Sequence, residues 1–314
     1  MRQVVVTGSI SYDHIMDIPA LFSDYIMPDK IHILNVSFYA NKMRREMGGT
    51  GGNIAYTLAL LGMKPVLLSA VGSDFDKYKR FLDKSGVETH YIKLFQKVTC
   101  STGFCMTDRN DNQIWGFSGG ALDFNDKLSL RSFVKSNPFV VLSPSGINGI
   151  THFIDECAEL KLDFMFDPAF YIPTLKIDVL KKGIKFCKIL IGNDYEITQL
   201  KKRTGLDDKR FLKNGKIIIT TLGKKGSKIQ KDRKTFLIPA AKPKNEIDPT
   251  GAGDAFRAGF LAGYLRGFSL DVCGKMGSIS SVYTVEKYGT TTHKFNKKDF
   301  ELRFKKNFGI DLTL

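Results

Sequence analysis

Short apolar runs alternate along this chain with segments whose composition is typical of helices. The strand-like runs lie at 4–8, 65–71, 139–143, 163–166, 189–192 and 216–221. The helix-like segments lie at 52–62, 75–85, 150–160, 177–186, 195–204 and 255–265. Continuous apolar strands separated by helices are typical of a parallel sheet that is covered on both faces. The pattern therefore predicts an α/β fold with a doubly wound, mostly parallel sheet flanked by helices.

Two segments interrupt this alternation. Residues 14–47 contain Pro19 and Pro28 within mixed polarity, and residues 93–119 alternate apolar and polar positions. The Asp- and Asn-rich stretch at 108–112 has the composition of a hairpin turn. We expect both segments to form antiparallel strands outside the main sheet, as a small β-sheet lid within a single domain spanning 1–314. A plain surface hairpin or a contact between subunits remains open as an alternative.

Composition is ordinary for a water-soluble globular protein, with 43% hydrophobic and 25% charged residues. The five cysteines are scattered without a Cys-x-x-Cys pair, which favours reduced thiols in a cytoplasm over a disulfide framework. The histidines lack metal-ligand spacing, so we expect no metal held directly by His or Cys. No apolar run reaches the roughly 18 residues that would predict a membrane span.

The formal net charge is +15, from 47 Lys and Arg against 32 Asp and Glu. The lysines are spread along the whole chain, mostly between apolar positions of helix-like segments. This distribution favours a solvated surface, and we expect no specific nucleic-acid partner. The positive field would still attract an anionic nucleotide. A non-catalytic nucleotide- or nucleic-acid-binding protein remains an alternative that only the charge supports.

The most informative motif is Asp-Pro-Thr-Gly-Ala-Gly-Asp at 248–254, directly before the apolar run 255–265. Free amide N–H groups at a helix start, together with the helix dipole, attract an anion. Glycines let a phosphate approach the backbone closely. A carboxylate beside such an anion hole is repulsive unless it takes a proton. The motif therefore suggests phosphoryl transfer to a hydroxyl, with Asp254 as general base and an anion hole at Gly251, Ala252 and Gly253. Tight helix packing alone is the alternative.

A second glycine-rich stretch, Gly-Gly-Thr-Gly-Gly-Asn at 48–53, precedes the first predicted helix. It is not a dinucleotide fingerprint, because Ile54 stands where the last glycine would be needed and the stretch does not follow the first strand. No Walker A sequence occurs in the chain either. A nicotinamide-dependent oxidoreductase is therefore set aside.

The pairing of Gly-Gly-x-Gly-x-Asn at 48–53 with Asp-x-x-Gly-Ala-Gly-Asp at 248–254 resembles the ribokinase/PfkB family of carbohydrate and nucleoside kinases. The resemblance spans nearly the whole chain. It implies a ribokinase-like fold with a β lid, and ATP, Mg²⁺ and in some members K⁺ as cofactors. It also implies that the lid closes and limits wasteful ATP hydrolysis.

The resemblance further implies roles for individual residues. The residues matched to the acceptor site and its hinge are Asp13, Gly48, Gly49 and Asn53. Those matched to the site for ATP and the magnesium-bound phosphates are Asn193, Glu196, Thr221 and Gly223. Residues that help hold a monovalent cation in some members correspond to Asp248 and Thr250.

The acceptor is less well defined. Segments 28–46 and 283–293 resemble a bacterial and archaeal subgroup of adenosine-kinase-like proteins, and Ser11 stands where ribokinases usually have Asn. Aromatic residues Phe22, Phe38 and Tyr39 of the lid would suit a purine, unless they pack against the core or a second subunit. We expect an ATP-dependent kinase of a ribonucleoside, with adenosine as the best candidate and purine salvage as its setting. A kinase of ribose, fructose or a related sugar is the alternative. We also expect a homodimer through the lid and a cytoplasmic location.

Overall fold

The computed structural model describes residues 2–110, 112–213 and 215–314. Its strands, in chain order, are β1 Val4–Thr7, β2 Ser11–Asp17, β3 Lys42–Gly48, β4 Val66–Leu68, β5 Ala70–Gly72, β6 Lys93–Phe95, β7 Ser101–Thr107, β8 Gln113–Ser118, β9 Phe139–Leu142, β10 Phe164–Phe166, β11 Ile189–Asn193, β12 Ile217–Thr221, β13 Ser227–Lys231 and β14 Lys234–Ile238. Its helices are α1 Thr50–Leu60, α2 Asp76–Lys84, α3 Ile147–Glu159, α4 Ile177–Phe186, α5 Asp194–Thr204, α6 Asp208–Phe211, α7 Ala252–Leu265, α8 Leu270–Val285 and α9 Lys297–Phe308. No helix within these ranges is long and apolar enough to cross a bilayer.

The main sheet has the strand order β14-β13-β12-β11-β10-β9-β1-β4. Neighbouring strands from β12 through β11, β10, β9 and β1 to β4 pair in parallel. Strands β13 and β14 are added antiparallel at the edge beside β12. Along β1, Val4 and Val6 lie in one buried apolar cluster and Val5 lies in the other. Helices α1, α7, α8 and α9 cover the first face, and α3, α4 and α5 cover the second. The predicted fold class is confirmed.

The apolar run 65–71, predicted as one strand, is divided in the structure. Its first part is β4 of the main sheet, and its second part, β5, pairs with β6 in a separate two-stranded sheet. The division falls at Ser69, whose hydroxyl donates to the carbonyl of Gly8 at 2.7 Å. The next amide, of Ala70, donates to the side chain of Asn125 at 2.7 Å. These buried side-chain partners replace sheet bonds and lead the chain out of the main sheet.

A second sheet has the order β3-β2-β7-β8. We call it the lid sheet. It begins at Ser11, three residues before the predicted lid, and β6 does not belong to it. Strands β2 and β7 are parallel, whereas both edge strands pair antiparallel. Residues 18–41 hold short 3₁₀ turns at Phe22–Asp24 and Pro28–Ile33 instead of strands. Position 111 of the predicted turn 108–112 lies outside the described residues.

His293 joins α1 to α8 in the interior and is only 1% exposed. Its Nε2 lies 3.3 Å from the hydroxyl of Thr57, and its Nδ1 lies 3.4 Å from that of Thr284. Burial lowers the pKa of the imidazole from 6.5 to about 4. The ring therefore stays neutral in the folded protein at a pH where it is protonated in the unfolded chain.

This difference predicts a loss of stability in acid. The unfolded chain binds the extra proton below pH 6.5 and the folded protein only near pH 4, so the free energy of unfolding falls as pH falls between these values. The full contribution is about 3 kcal/mol. Urea unfolding at pH 7 and pH 4 should show wild type losing about that much more than His293→Gln, which lacks the titrating group. An equal loss in both proteins would contradict the prediction.

Candidate active site

The first turn of α7 opens onto the carboxyl-end edge of the main sheet. Gly251 is the N-cap residue with φ of 79°, a left-handed conformation that glycine adopts without strain. Among the described residues, the amide N–H groups of Gly251, Gly253 and Asp254 have no hydrogen-bond acceptor, while that of Ala252 donates to the carbonyl of Pro249 at 3.2 Å. The helix mouth therefore offers free donors to an anion, and Ala252, one of the predicted anion-hole residues, has its amide engaged in the turn.

Asp254 faces the other glycine-rich turn. Its Oδ2 accepts a hydrogen bond of 2.8 Å from the amide Nδ2 of Asn53, which lies in the first turn of α1. The Oδ1 of Asn53 in turn accepts a bond of 2.6 Å from the hydroxyl of Thr290. Because a carboxylate can only accept, this chain fixes which end of the Asn53 amide faces Asp254. The structure thus brings together the two motifs that the sequence separates by about two hundred positions.

Electrostatics make Asp254 a suitable proton acceptor near neutral pH. Burial raises the pKa of Asp254 to about 6, although Arg257 and the Asn53 hydrogen bond act to lower it. The nearby carboxylates of Asp167 and Asp13 raise it further. A base with a pKa close to the working pH is ionised there and still binds a proton effectively.

Asp13 lies buried on β2 of the lid sheet, close enough to Asp254 for its charge to act on that carboxyl group. Its Oδ1 accepts a hydrogen bond of 3.0 Å from the hydroxyl of Ser11. Burial raises the pKa of Asp13 to about 6, the Ser11 bond lowers it, and Glu46 on the adjacent strand raises it. A Cβ at Gly48 would lie 1.9 Å from Oδ2 of Asp13. Glycine at 48 therefore leaves the space that this carboxylate occupies, and the predicted hinge at Gly48 and Gly49 remains a prediction.

Aromatic side chains share the face of the lid sheet that carries Asp13. Strand register aligns Asp13 with Gly103 and Phe117, and Trp115 follows two residues from Phe117 on the same face. Phe117 and Trp115 are each 41% exposed. The ring of Phe117 lies 5.8 Å from that of Phe170, which follows β10 and is also exposed. Exposed rings beside a buried carboxylate suit a ligand with one polar end and one flat apolar end.

The aromatic residues predicted from sequence lie elsewhere in the lid segment. Phe22 packs edge-on against Phe38 with 5.5 Å between ring centroids, and its amide donates to Asp108 at the turn of the β7–β8 hairpin. Tyr39 is largely exposed. Their stacking on a purine remains a prediction.

Asn193 and Glu196 form a reciprocal capping box at the start of α5. The Asn193 side chain accepts from the Glu196 amide, and the Glu196 carboxylate accepts from the Asn193 amide, both at 2.8 Å. Burial raises the pKa of Glu196, Asp167 raises it further, and Arg257 lowers it. The Asn-x-x-Glu spacing thus has a structural role in the helix, while one carboxylate oxygen, Oε1, has no donor among the described residues.

The other residues matched to nucleotide and cation lie at the same edge of the sheet. Thr221 ends β12, and Gly223 follows it in a turn with φ of 57°. Asp248 accepts from the amide of Thr250 at 2.9 Å and from that of Gly289 at 3.2 Å. Asp248 therefore holds two loops together, and its role toward K⁺ stays a prediction. Within the described ranges, no group of three or more His, Cys, Asp or Glu side chains is arranged to hold a metal ion.

A helix mouth with free amide donors, the buried carboxylate of Asp254 and a second buried carboxylate on the lid sheet together form a site in an α/β fold that is suited to phosphoryl transfer. The chain belongs to the pfkB family of carbohydrate kinases, whose family model matches residues 1–297. The chain is 30% identical to a nucleoside kinase of Methanothermobacter thermautotrophicus over 99% of this chain and 98% of that protein. It is 27% identical to an ATP-dependent 6-phosphofructokinase of Thermoanaerobacterium thermosaccharolyticum over 80% of this chain and 83% of that protein.

Solved structures agree with this family and with its ribokinase-like fold. The nucleoside kinase of Burkholderia thailandensis in complex with inosine superposes with a TM-score of 0.87, at 29% identity, covering 98% of this chain and 99% of that chain. Its ligand-free form gives 0.78 at 30% identity, covering 96% and 99%. This chain is therefore closer in shape to the inosine complex of that protein than to its ligand-free form.

Sequence reasoning did not single out several residues at this site as functional. They are Glu46, Trp115, Phe117, Asp167, Phe170, Arg257 and Thr290. The alternation of Trp115 and Phe117 in a predicted strand was a usable signal, since it places both on one face. Thr290 and Asp167 reach the site only through tertiary packing, so no local pattern could have identified them.

Proposed function

We propose that this protein transfers the γ-phosphoryl group of ATP to the primary hydroxyl of a ribonucleoside. The observation that carries the proposal is the meeting of Asp254, bound to Asn53, with the buried Asp13 beneath an exposed aromatic face. The first carboxylate serves as a base and the second as a ligand for sugar hydroxyls. The aromatic rings serve the base of the nucleoside.

In this proposal the acceptor hydroxyl gives its proton to Asp254 as its oxygen attacks the γ-phosphorus. The hydrogen bond from Asn53 holds Oδ2 of Asp254 in place and leaves Oδ1 for the proton. Free amides of Gly251, Gly253 and Asp254 stabilise charge that develops on the transferred group. Removing one such donor typically raises a barrier by about 2.7–4 kcal/mol.

ATP lies along the carboxyl ends of β11 and β12, toward the mouth of α7. Thr221 and Gly223 border the nucleotide there. Magnesium, when bound, would neutralise charge on the ATP phosphates. Glu196 is suited to hold it directly or through water, because carboxylate oxygens are preferred Mg²⁺ ligands and Oε1 has no protein donor among the described residues.

Contacts between the lid sheet and the C-terminal segment support a lid that closes over the acceptor. The hydroxyl of Thr290 lies 3.0 Å from the carbonyl of Met47. The guanidinium of Arg44 stacks on the ring of Tyr288 at 4.6 Å. Closure of this kind excludes water from the phosphoryl group and limits its transfer to water.

A nucleoside is favoured over a simple sugar by the exposed rings of Trp115, Phe117 and Phe170. A free sugar would leave these rings without a flat partner, whereas base stacking on aromatic side chains is favourable. The nucleoside kinases among its relatives support the same acceptor class. Adenosine remains our specific candidate, with purine salvage in a cytoplasm as the setting.

A homodimer through the lid belongs to the same proposal. The face of the lid sheet opposite Asp13 carries the exposed apolar side chains of Met43, Phe104 and Ile114. An exposed apolar sheet face of this kind is suited to a subunit contact.

An acceptor screen tests the proposed function. ATP consumption should be measured with adenosine, inosine, cytidine, ribose, fructose and fructose 6-phosphate, with and without potassium. We expect the highest kcat/KM with a purine nucleoside. The highest kcat/KM with a sugar would replace the acceptor class. If no acceptor in the screen supports ATP consumption and the protein binds duplex DNA in a salt-dependent manner, the non-catalytic alternative would be favoured.

Trp115 is the only tryptophan of the chain and therefore reports on its own site. We expect a purine nucleoside to quench its fluorescence and Trp115→Ala to raise the acceptor KM by about 10-fold, as one stacked base is worth roughly 1–3 kcal/mol. The KM for ATP should stay unchanged. Phe104→Ala is the matched control, because Phe104 is an exposed ring on the opposite face of the same sheet. An equal effect of both substitutions would remove the stacking role.

A further inference from the structure

Arg257 is a charged side chain buried beside the proposed anion hole. It lies one turn into α7 and is only 7% exposed. Its Nη2 donates to Oδ1 of Asp167 at 2.9 Å, and its Nε lies 2.5 Å from Oδ2 of the same carboxylate. Asp167 directly follows β10, so this pair lies at the carboxyl-end edge of the main sheet.

The remaining amino group, Nη1, is directed toward the helix mouth. Among the described residues, Nη1 donates no hydrogen bond, whereas Nη2 and Nε both face Asp167. A Cβ at Gly253 would come within 2.8 Å of this nitrogen. Helical side chains lean toward the N-terminus of their helix, and residues 253 and 257 share one face. Glycine at 253 therefore leaves the space in which Nη1 reaches the level of the free amides.

Arg257 stays charged in the folded protein because three carboxylates lie close to it. The carboxylates of Asp167, Asp254 and Glu196 all act on this guanidinium. Burial alone would lower the pKa of Arg257, but these carboxylates raise it above its usual range, so the group stays charged. Asp167 satisfies one side of the planar fork, and the other side is free for a second oxygen ligand.

We propose that Arg257 is a further catalytic residue, whose Nη1 donates a hydrogen bond to the phosphoryl group during its transfer, with Asp167 holding the guanidinium in place. This inference rests on the proposed function. In the step concerned, a bond forms between the acceptor oxygen and the γ-phosphorus, and the bond from that phosphorus to the β,γ-bridging oxygen breaks. The proton passes to Asp254 and ADP leaves. Charge on the transferred oxygens is greatest in the loose transition state, where a fixed guanidinium is most effective.

A purely structural role is the alternative, in which the ion pair only fastens β10 to α7. The chain offers a matched control for this alternative. Arg303 and Glu286 form another bidentate pair, with side chains each 10% exposed and contacts of 2.9 and 2.5 Å, between α9 and the end of α8. Loss of either arginine breaks a buried pair, but only Arg257 lies at the proposed site.

The experiment compares Arg257→Met, Arg257→Lys and Arg303→Met with wild type. Steady-state kinetics at varied ATP, thermal melting, and calorimetric titration with ADP and with a non-hydrolysable ATP analogue are measured for each. We expect Arg257→Met to lower kcat by about 10²–10³-fold. It should weaken the ATP analogue more than ADP, because only the former carries a γ-phosphate. Arg257→Lys keeps the charge without the fork and should recover part of kcat.

The pH profile gives an independent readout. Because a neighbouring cation favours the ionised form of a carboxylate, loss of Arg257 should move the acid limb of kcat/KM to higher pH. Arg303→Met should melt at a lower temperature with kcat and the pH profile unchanged. If Arg257→Met does not fold, the test uses Arg257→Lys instead, through its kcat and its affinity for the ATP analogue relative to ADP.

Two results would overturn the inference. One is a kcat within threefold of wild type in a folded Arg257 variant. The other is an equal loss of affinity for ADP and for the ATP analogue. Either result leaves the proposed function standing as long as wild type phosphorylates a nucleoside. The proposed function fails separately if none of the nucleosides in the acceptor screen supports ATP consumption by wild type.

Discussion

Replacing Asp254 with asparagine is expected to lower kcat by about 10²–10⁴-fold, the usual contribution of a general base. The amide has nearly the same shape as the carboxylate, but it cannot take the proton of the acceptor hydroxyl. Titration of the variant with ATP and with nucleoside should give affinities close to those of wild type, because the helix mouth and Asp13 remain. A variant with more than about a tenth of wild-type kcat would show that another group is the base.

The pH dependence of wild-type activity should also reflect the ionisation of Asp254. As the proposed base, Asp254 would act only when ionised, and its pKa of about 6 predicts that activity falls as pH drops through 6 instead of through 3.8. Asp13, with a pKa also raised to about 6, titrates in the same range. Because the two carboxylates interact, the acid limb of kcat/KM reports the pair. An acid limb near pH 4 would contradict this electrostatic picture.

The layered α/β fold follows from sequence because burial on both faces requires continuous apolar strands. The strands at 139–142 and 189–193 and the helix at 177–186 coincide closely with their predicted ranges. The prediction of a single strand at 65–71 was wrong, because the division of this run depends on Asn125, a partner more than fifty residues away. Such an interaction leaves no trace in local hydrophobic periodicity.

The candidate site, too, could be predicted from sequence only in part. The motif at 248–254 predicts an anion hole because a helix start and glycines are local features. The orientation of Asp254 depends instead on Asn53 and Thr290, which come from α1 and from the loop after α8. Sequence spacing could name Asn53 only through the family resemblance. The structure adds the physical reason, which is that its amide bonds the proposed base.

The glycines of 48–53 illustrate how one pattern can have several causes. Gly49 has φ of 91° at the N-cap of α1, which other residues rarely adopt. A Cβ at Gly51 would lie 2.9 Å from backbone of Gly8, so this position allows α1 to approach β1 closely. Gly48 makes room for Asp13. A hinge for lid closure is thus one of several reasons for glycine in this stretch, and the structure supplies direct evidence for the others.

Asp13→Ala should raise the acceptor KM by about 10²-fold or more, since a hydrogen bond to a charged group contributes about 1.5–3 kcal/mol. A ribose offers two neighbouring hydroxyls to this carboxylate, and loss of both bonds accounts for the size of the effect. The KM for ATP should stay near that of wild type, because Asp13 belongs to the lid sheet and not to the nucleotide side. Initial rates at varied acceptor and fixed saturating ATP provide the measurement.

Two companion variants make the interpretation specific. Asp17→Ala removes another carboxylate of β2, one that lies at the half-exposed end of the strand and pairs with Arg44. This variant should leave the acceptor KM unchanged. Gly48→Ala adds a methyl group at 1.9 Å from Oδ2 of Asp13, so it should displace the carboxylate and reproduce the acceptor defect of Asp13→Ala. If Gly48 acts only as a hinge, Gly48→Ala should instead change kcat for every acceptor with little effect on acceptor affinity. An unchanged acceptor KM in Asp13→Ala would show that the carboxylate does not bind the acceptor.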